Sequence, residues 1–324
     1  MEGLTFFTDI ISQSDSINKE NPNLYDVIVF HYPCQDGLVS AWVCHYYYKT
    51  LLNSISPYRY ENHKIDFYPY QHNDELDLER LVGKRVLFCD ITPKIEVLEK
   101  IESIVSKINI LDHHHYIEDL AKTKPYIKFD NSKSGASLTC EHFFPTIDVP
   151  EFIKMVEDRD IWRWSIPNSK QFTTWLMAEA DILGDFDENK FEELFRSLNL
   201  LLIDPSLMYV YIDKGAFLMA INNSKIKNIC CDVPIKNVNF KGKDYKICIV
   251  NSLDNVSEIG NELCKKYDID FAIVFNYNNQ KNIWKSSLRS IGDFDTSIIS
   301  RHFGGNGHKN ASGFTSNVCP IELF

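Results

Sequence analysis

The sequence holds no run near the roughly 18 consecutive apolar residues that a membrane-spanning helix needs. Its opening, MEGLTFFTDIISQSDS, has no basic stretch followed by an apolar core. No membrane partner is therefore expected, and the cytoplasm is the expected compartment. Basic charge is scarce: 34 Lys and Arg stand against 45 Asp and Glu, a formal net charge of −11. A surface of that sign repels long phosphate backbones, which disfavours a dedicated binder of long duplex DNA. The nine cysteines, at 34, 44, 89, 140, 230, 231, 248, 264 and 319, are odd in number and never spaced C-x-x-C. They fit neither a disulfide framework nor a structural zinc site and point to a reducing compartment. Internal repeats and low-complexity segments are missing too.

What is present is ordinary globular composition, 44% hydrophobic and 24% charged, in 324 residues, a length that favours two domains over one. Charge divides unevenly. Residues 1 to 224 carry 21 basic and 35 acidic side chains, whereas 225 to 324 carry 13 and 10, so the two parts are expected to do different jobs. The polar stretch SQSDSINKENPN closes an N-terminal extension, residues 1–24. The first strong strand signal follows at Tyr25 to His31 (YDVIVFH), with a helical segment over 37–52 and further β-rich runs at 64–70, 84–90 and 107–112. Between the last two, PKIEVLEKIESIVSK places Pro93 at a helix start and Leu98, Ile101, Ile104 and Val105 at helical spacing. Strands alternating with helices predict an α/β fold, a mostly parallel sheet with helices on both faces, over residues 25–185. A helix is expected at 149–158. The long apolar-periodic stretch 188–221, broken at Asp204-Pro205, reads as part of a helical linker over 186–224. Residues 225–324 then form a smaller C-terminal α/β domain, with strands at 245–250, 271–276 and 283–289 and helices near 256–266 and 295–303.

In an open parallel sheet, ligands bind beyond the carboxyl ends of the strands. Here the first strand runs into His31-Tyr-Pro-Cys34-Gln-Asp36-Gly37, another ends at Asp90, and the next ends at Asp112-His113-His114-His115. Taken singly, an Asp at a strand end is a turn or helix cap. Taken together, several carboxylates and imidazoles converging on one sheet edge would repel one another unless cations sat between them. Oxygen and nitrogen donors suit manganese, iron, magnesium or zinc, and a dinuclear divalent centre resolves the conflict.

These residues resemble a family, the DHH phosphoesterases, named for the Asp-His-His triplet that stands here as Asp112-His113-His114. The likeness covers about residues 25 to 320. The family's opening motif, a His followed by two aspartates and a Gly, resembles His31, Asp36 and Gly37; Asp90 matches its second motif. The fourth, an Asp after a helix, resembles Asp158, with Asp160 as the alternative. Cys34 stands where most members carry the first Asp, either as a softer thiolate ligand or as a small buried residue. The resemblance implies two divalent ions bridged by Asp90, most readily manganese, with magnesium, cobalt or iron as alternatives. One would be held by His31 with or without Cys34, the other by Asp36, His113 and Asp158. Asp112 would orient the imidazoles, and His114 would contact substrate or donate a proton to the leaving oxygen. No role falls to His115.

Near the C-terminus, Gly304-Gly305-Asn306-Gly307-His308 with Gly313-Phe314 resembles the Gly-Gly-Gly-His signature of the substrate-binding domain that accompanies many DHH proteins. Glycines would let the backbone N–H groups of 304, 305 and 307 approach a phosphate, while His308 and Arg289 would meet its oxygens. Phe303 and Phe314 either stack a base or pack in the core. The implied activity is hydrolysis of phosphodiester or phosphomonoester bonds in small nucleotides or short oligonucleotides, an exonuclease class of chemistry, by a hydroxide that two metals activate. The alternatives are hydrolysis of polyphosphate or pyrophosphate, and a nucleotide-binding sensor whose centre is weakened by Cys34. A homodimer is one option for its assembly.

Overall fold

A computed structural model describes residues 24–52, 64–72, 74–180 and 186–324 of the chain. The expected extension at 1–24 therefore lies outside the described residues apart from Leu24. The chain divides into two compact units, Met1–Leu218 and Met219–Phe324.

The first unit is built on five parallel strands, β1 (Val27–His31), β2 (Asp66–Tyr70), β3 (Arg85–Cys89), β4 (Lys107–Asp112) and β5 (Ile127–Phe129), in the order β2-β1-β3-β4-β5. Neighbouring register pairs such as Val27 with Val86 and Ile110 with Ile127 fix the alignment. β1 is a continuous apolar run because helices cover both faces of a parallel sheet. Alternation then divides it. Ile28 and Phe30 pack into one core with Leu87 and Leu111, while Val27 and Val29 pack into the other with Val86, Phe88 and Ile110. The helices are α1 (Gln35–Tyr46), α2 (Ile95–Ile104), α3 (Glu118–Ala121), α4 (Gly135–Phe143), α5 (Glu151–Asp160), α6 (Ser169–Glu179) and α7 (Glu188–Ile203). Every residue of α1 is buried, so its apolar sequence is that of a helix enclosed on all sides rather than an amphipathic one. The π-helical turn Tyr47–Leu52 continues it.

One boundary needs correction. Residues 186–224 were expected as a linker, yet α7 buries Phe191, Leu194, Phe195, Leu198, Leu201 and Leu202 in the first core, against residues that include Phe30. The apolar periodicity was that of a core helix. The division between units falls instead inside the long helix α8 (Leu207–Ile229).

The second unit is a six-stranded sheet in the order β10-β11-β9-β8-β7-β6. Its strands are β6 (Lys236–Phe240), β7 (Lys243–Asn251), β8 (Phe271–Asn278), β9 (Ile283–Arg289), β10 (Asn306–His308) and β11 (Ala311–Ser316). β7 and β8 pair in parallel through the crossover helix α9 (Val256–Lys266), and the remaining pairs are antiparallel. Ile259 and Leu263 of α9 pack on one face; Phe271, Ile273, Leu288 and Phe314 fill the other with Ile299 of α10 (Ser297–His302). The last helix, α11 (Pro320–Leu323), ends the chain.

Candidate metal centre

The order β2-β1-β3-β4-β5 reverses direction between β1 and β3, and a ligand crevice opens at such a switch point. His31 ends β1, Asp90 follows β3, and Asp112 ends β4. Asp36 enters from the first turn of α1 and Asp160 is the last residue of α5.

Asp90 lies at the centre. Its Oδ2 is 3.1 Å from His31 Nδ1 and its Oδ1 is 3.2 Å from His113 Nε2 and 3.9 Å from His114 Nδ1. His113 Nε2 is also 3.2 Å from Asp160 Oδ2 and 3.9 Å from Asp36 Oδ2. Donor atoms of His31, Asp90 and His114 lie within 4.8 Å of one another, as do those of Asp36, Asp90 and His113. The two groups share Asp90.

Local backbone requirements explain several residues around it. Asp90 takes φ +62°, a left-handed conformation that Asp tolerates better than bulkier residues. The N–H groups of Gly135 and Ala136, at the start of α4, donate to Asp36 at 2.5 and 2.9 Å. That approach demands glycine, because a Cβ at 135 would stand 2.6 Å from the Asp90 Cβ. Asp112, fully buried, accepts from the backbone N–H groups of His113 and His114 at 2.7 and 3.1 Å and from Thr92 Oγ1 at 2.6 Å. Its Oδ1 is also 2.7 Å from His114 Nδ1, which orients that imidazole.

Sequence reasoning favoured Asp158 over Asp160, and the geometry reverses the choice. The Asp158 carboxylate is turned away, taking hydrogen bonds from the Ser165 N–H and Oγ, the Ile166 N–H and Ser169 Oγ at 2.7, 2.8, 3.2 and 2.6 Å. It fixes the turn after α5, and Asp160 reaches His113. Cys34, at the N-cap of α1, belongs to neither donor group. Burial, then the charges of Asp90, Asp160 and Asp36, push its thiol pKa up. His115 is exposed beside Glu118, away from the centre.

Three contributors escaped the sequence reading. His72 follows β2, with its ring 6.0 Å from that of His31 and 6.4 Å from that of His114. Tyr116 Oη lies 3.2 Å from His72 Nε2 and 3.5 Å from Asp112 Oδ2. Thr92 is the third. The rule that flagged Asp90 and Asp112, a donor just past a strand, would also have found His72.

The donor set fits divalent cations. Asp90 Oδ1 and His113 Nε2 are both buried and neither has a hydrogen-bond partner among the described residues. A positive ion between them satisfies both. The electrostatics agree. Burial alone would lower His113, yet Asp90, Asp36 and Asp160 raise it to about 9, and burial with Asp90 raises Asp160 to about 6. The protein without an ion gathers protons to offset clustered carboxylates, which is the charge a metal supplies.

In the second unit, the expected phosphate cradle is only partly present. Ala311 pairs with His308 on one side and with Arg289 on the other, so the three share one sheet face, with His308 and Arg289 about 10 Å apart at two strand spacings. The Arg289 guanidinium donates to Ser257 Oγ and Leu288 O at 2.7 and 2.8 Å. The N–H groups of Gly304, Gly305 and Gly307 already donate to Arg301 O, Ser300 O and Asn306 Oδ1. These amides are therefore committed within the domain. Gly305 and Gly307 are required instead by close approach to β11, and Gly304 by its φ of +75°. Phe303 and Phe314 stack on each other at 4.5 Å in the core around Ile273 and Leu288, the packing alternative rather than base stacking.

No protein-family model matches the chain. It is 32% identical over 306 residues to the uncharacterized protein R106 of Acanthamoeba polyphaga mimivirus, covering 90% of this chain and 68% of that protein. It is 23% identical over 231 residues to the oligoribonuclease NrnB of Bacillus subtilis strain 168, covering 67% of this chain and 55% of NrnB. Among solved structures, the DHH domain of a member of the s1p family of ribosomal proteins superposes with a TM-score of 0.57 at 13% identity, over 100% of this chain and 90% of that one. The chain belongs to one family with the mimivirus protein and has the fold of that DHH domain. No helix among the described residues is long and apolar enough to cross a membrane.

Proposed function

We propose that the protein is a metal-dependent phosphoesterase acting on phosphodiester or phosphomonoester bonds of small nucleotides or short oligonucleotides. The observation that carries this reading is the sharing of Asp90 by two donor groups, so that its carboxylate would serve two cation positions. His31 and His114 would complete one position; Asp36, His113 and Asp160 would complete the other. Manganese is the first candidate, with magnesium, cobalt or iron as alternatives. A bound pair supplies the Lewis acidity that lowers the pKa of a water and offsets charge on a phosphoryl group in in-line displacement.

The chain's own residues do the positioning. Asp112 holds His114 at Nδ1 and leaves Nε2 for a cation or a phosphate oxygen, with Thr92 steadying the other Asp112 oxygen. In the second unit, the Arg289 guanidinium and the His308 imidazole lie on one sheet face and offer N–H donors suited to a phosphate oxygen. A net charge of −11 favours short substrates, and the similarity to an oligoribonuclease supports the same size class. Cytoplasmic action fits the cysteine usage.

The test is manganese-dependent hydrolysis of four substrates in parallel: a 5′-phosphorylated dinucleotide, a long single strand, adenosine 3′,5′-bisphosphate and polyphosphate, with Asp90→Asn as control. Turnover of the dinucleotide or bisphosphate that vanishes in the control is expected. Turnover of polyphosphate alone would move the protein to phosphoanhydride chemistry, and silence on all four with nucleotide still bound would make it a sensor.

A further inference from the structure

The turn that Asp158 fixes carries two tryptophans in a conformation that tryptophan rarely adopts. Trp162 has φ +62° and Trp164 φ +54°, left-handed values that are unfavourable for a bulky residue. The turn is nevertheless held from several directions. The N–H groups of Arg163 and Trp164 donate to Asp158 O at 2.9 and 3.2 Å, and the four bonds to the Asp158 carboxylate tie down residues 165 to 169. The Arg163 guanidinium pairs with Glu157 at 3.0 Å. Strain held in place by so many contacts is characteristic of functional segments.

Exposure is the second observation. Trp42 and Trp175 are at most 2% exposed, whereas Trp162 is 68% exposed, among the most exposed large apolar side chains of the described residues. Its ring meets that of Trp164 edge to face, with centroids 5.0 Å apart and planes at 71°, so the indoles do not cover one another face to face. Trp164 is braced in turn by Lys170 Nζ, 4.7 Å from its ring centroid. Position is the third. Trp162 follows Asp160 by two residues, at most about 7 Å along the chain, and Asp160 reaches His113 in the metal centre.

We propose that Trp162 is a stacking platform for a nucleobase of the substrate, set beside the metal centre by the Asp158 turn. This rests on the phosphoesterase reading and adds the recognition element that reading lacks, since Phe303 and Phe314 are spent in the core. An aromatic face binds any base without reading its hydrogen-bonding edge, so the preference it confers is for a base over none rather than for one base over another. Holding the backbone of the turn in advance reduces the ordering cost of binding.

The experiment compares the full-length protein with Trp162→Ala and Trp162→Phe on a dinucleotide and on the same compound with a tetrahydrofuran in place of each base. Wild type should favour the base-bearing compound. Trp162→Ala should reduce that preference about tenfold through KM, and Trp162→Phe, which keeps a ring, should restore most of it. Titration of adenosine monophosphate into each protein, followed by tryptophan fluorescence, reads stacking without turnover: quenching in wild type should be lost in Trp162→Phe, with matched thermal melts showing that the variants fold. An unchanged preference in Trp162→Ala, or equal quenching in wild type and Trp162→Phe, overturns the proposal. Absence of turnover on every substrate overturns the phosphoesterase reading instead, and the fluorescence arm then decides the platform by itself.

Discussion

His113 Nε2 stands 3.2 Å from Asp90 Oδ1, and both atoms are buried without a hydrogen-bond partner among the described residues. Without an ion, protonation of His113 offsets the Asp90 charge; a divalent cation between the two atoms would take over that role.

Replacing Asp90 by Asn removes the charge shared by both donor groups. Hydrolysis should fall by about a thousandfold or more, in keeping with loss of metal-assisted catalysis. Bound manganese, measured by elemental analysis, should drop below two per chain while the circular dichroism spectrum stays native.

Asp160 and Asp158 should separate by readout. Asp160→Asn is expected to weaken metal binding and turnover with little change in melting temperature. Asp158→Asn strips charge from a carboxylate that accepts four hydrogen bonds, and should cost about 1–3 kcal/mol in denaturant unfolding.

Gly135→Ala forces a Cβ against Asp90. The expected loss is about 1–3 kcal/mol of stability from overpacking, with a larger proportional loss of activity because the displaced atoms belong to Asp90 and Asp36. Unchanged kinetics in a folded Gly135→Ala protein would contradict this placement.

Acid should destabilise the first unit through two histidines remote from the centre. Burial, then Lys49, lowers His45 to about 4, and burial, then Lys128 and Lys107, lowers His142 to about 4. Below about pH 6.5 the unfolded chain binds protons that these rings refuse until about pH 4. Their contribution is therefore fully present above pH 6.5 and is lost as pH falls towards 4. Melting temperature should drop between pH 7 and pH 5, and the drop should shrink in His142→Gln.

The cluster of carboxylates and imidazoles was legible in the sequence where a polar residue closes an apolar strand, as at His31, Asp90 and Asp112, because strand ends in a parallel sheet share one edge. Asp158 and Asp160 were not separable in that way. They lie about 200° apart around a helix, and the sequence does not say which side faces the sheet. α7 shows the same limit at larger scale: its apolar spacing was plain, but whether it faced a core or joined two domains depended on packing from residues far away in sequence. The glycine loop was recognisable as a motif, yet its amides proved to be bonded within the domain, and only the backbone path could show that.

The donors of the metal centre come from five separate segments: the ends of β1, β3 and β4, the first turn of α1 and the last residue of α5. No short stretch of the chain holds a complete set, so an ion finds its position only once the sheet and α5 have come together. Metal binding then acts as a lock on a finished domain rather than a seed for it, and the domain's resistance to unfolding should track the free ion concentration around it.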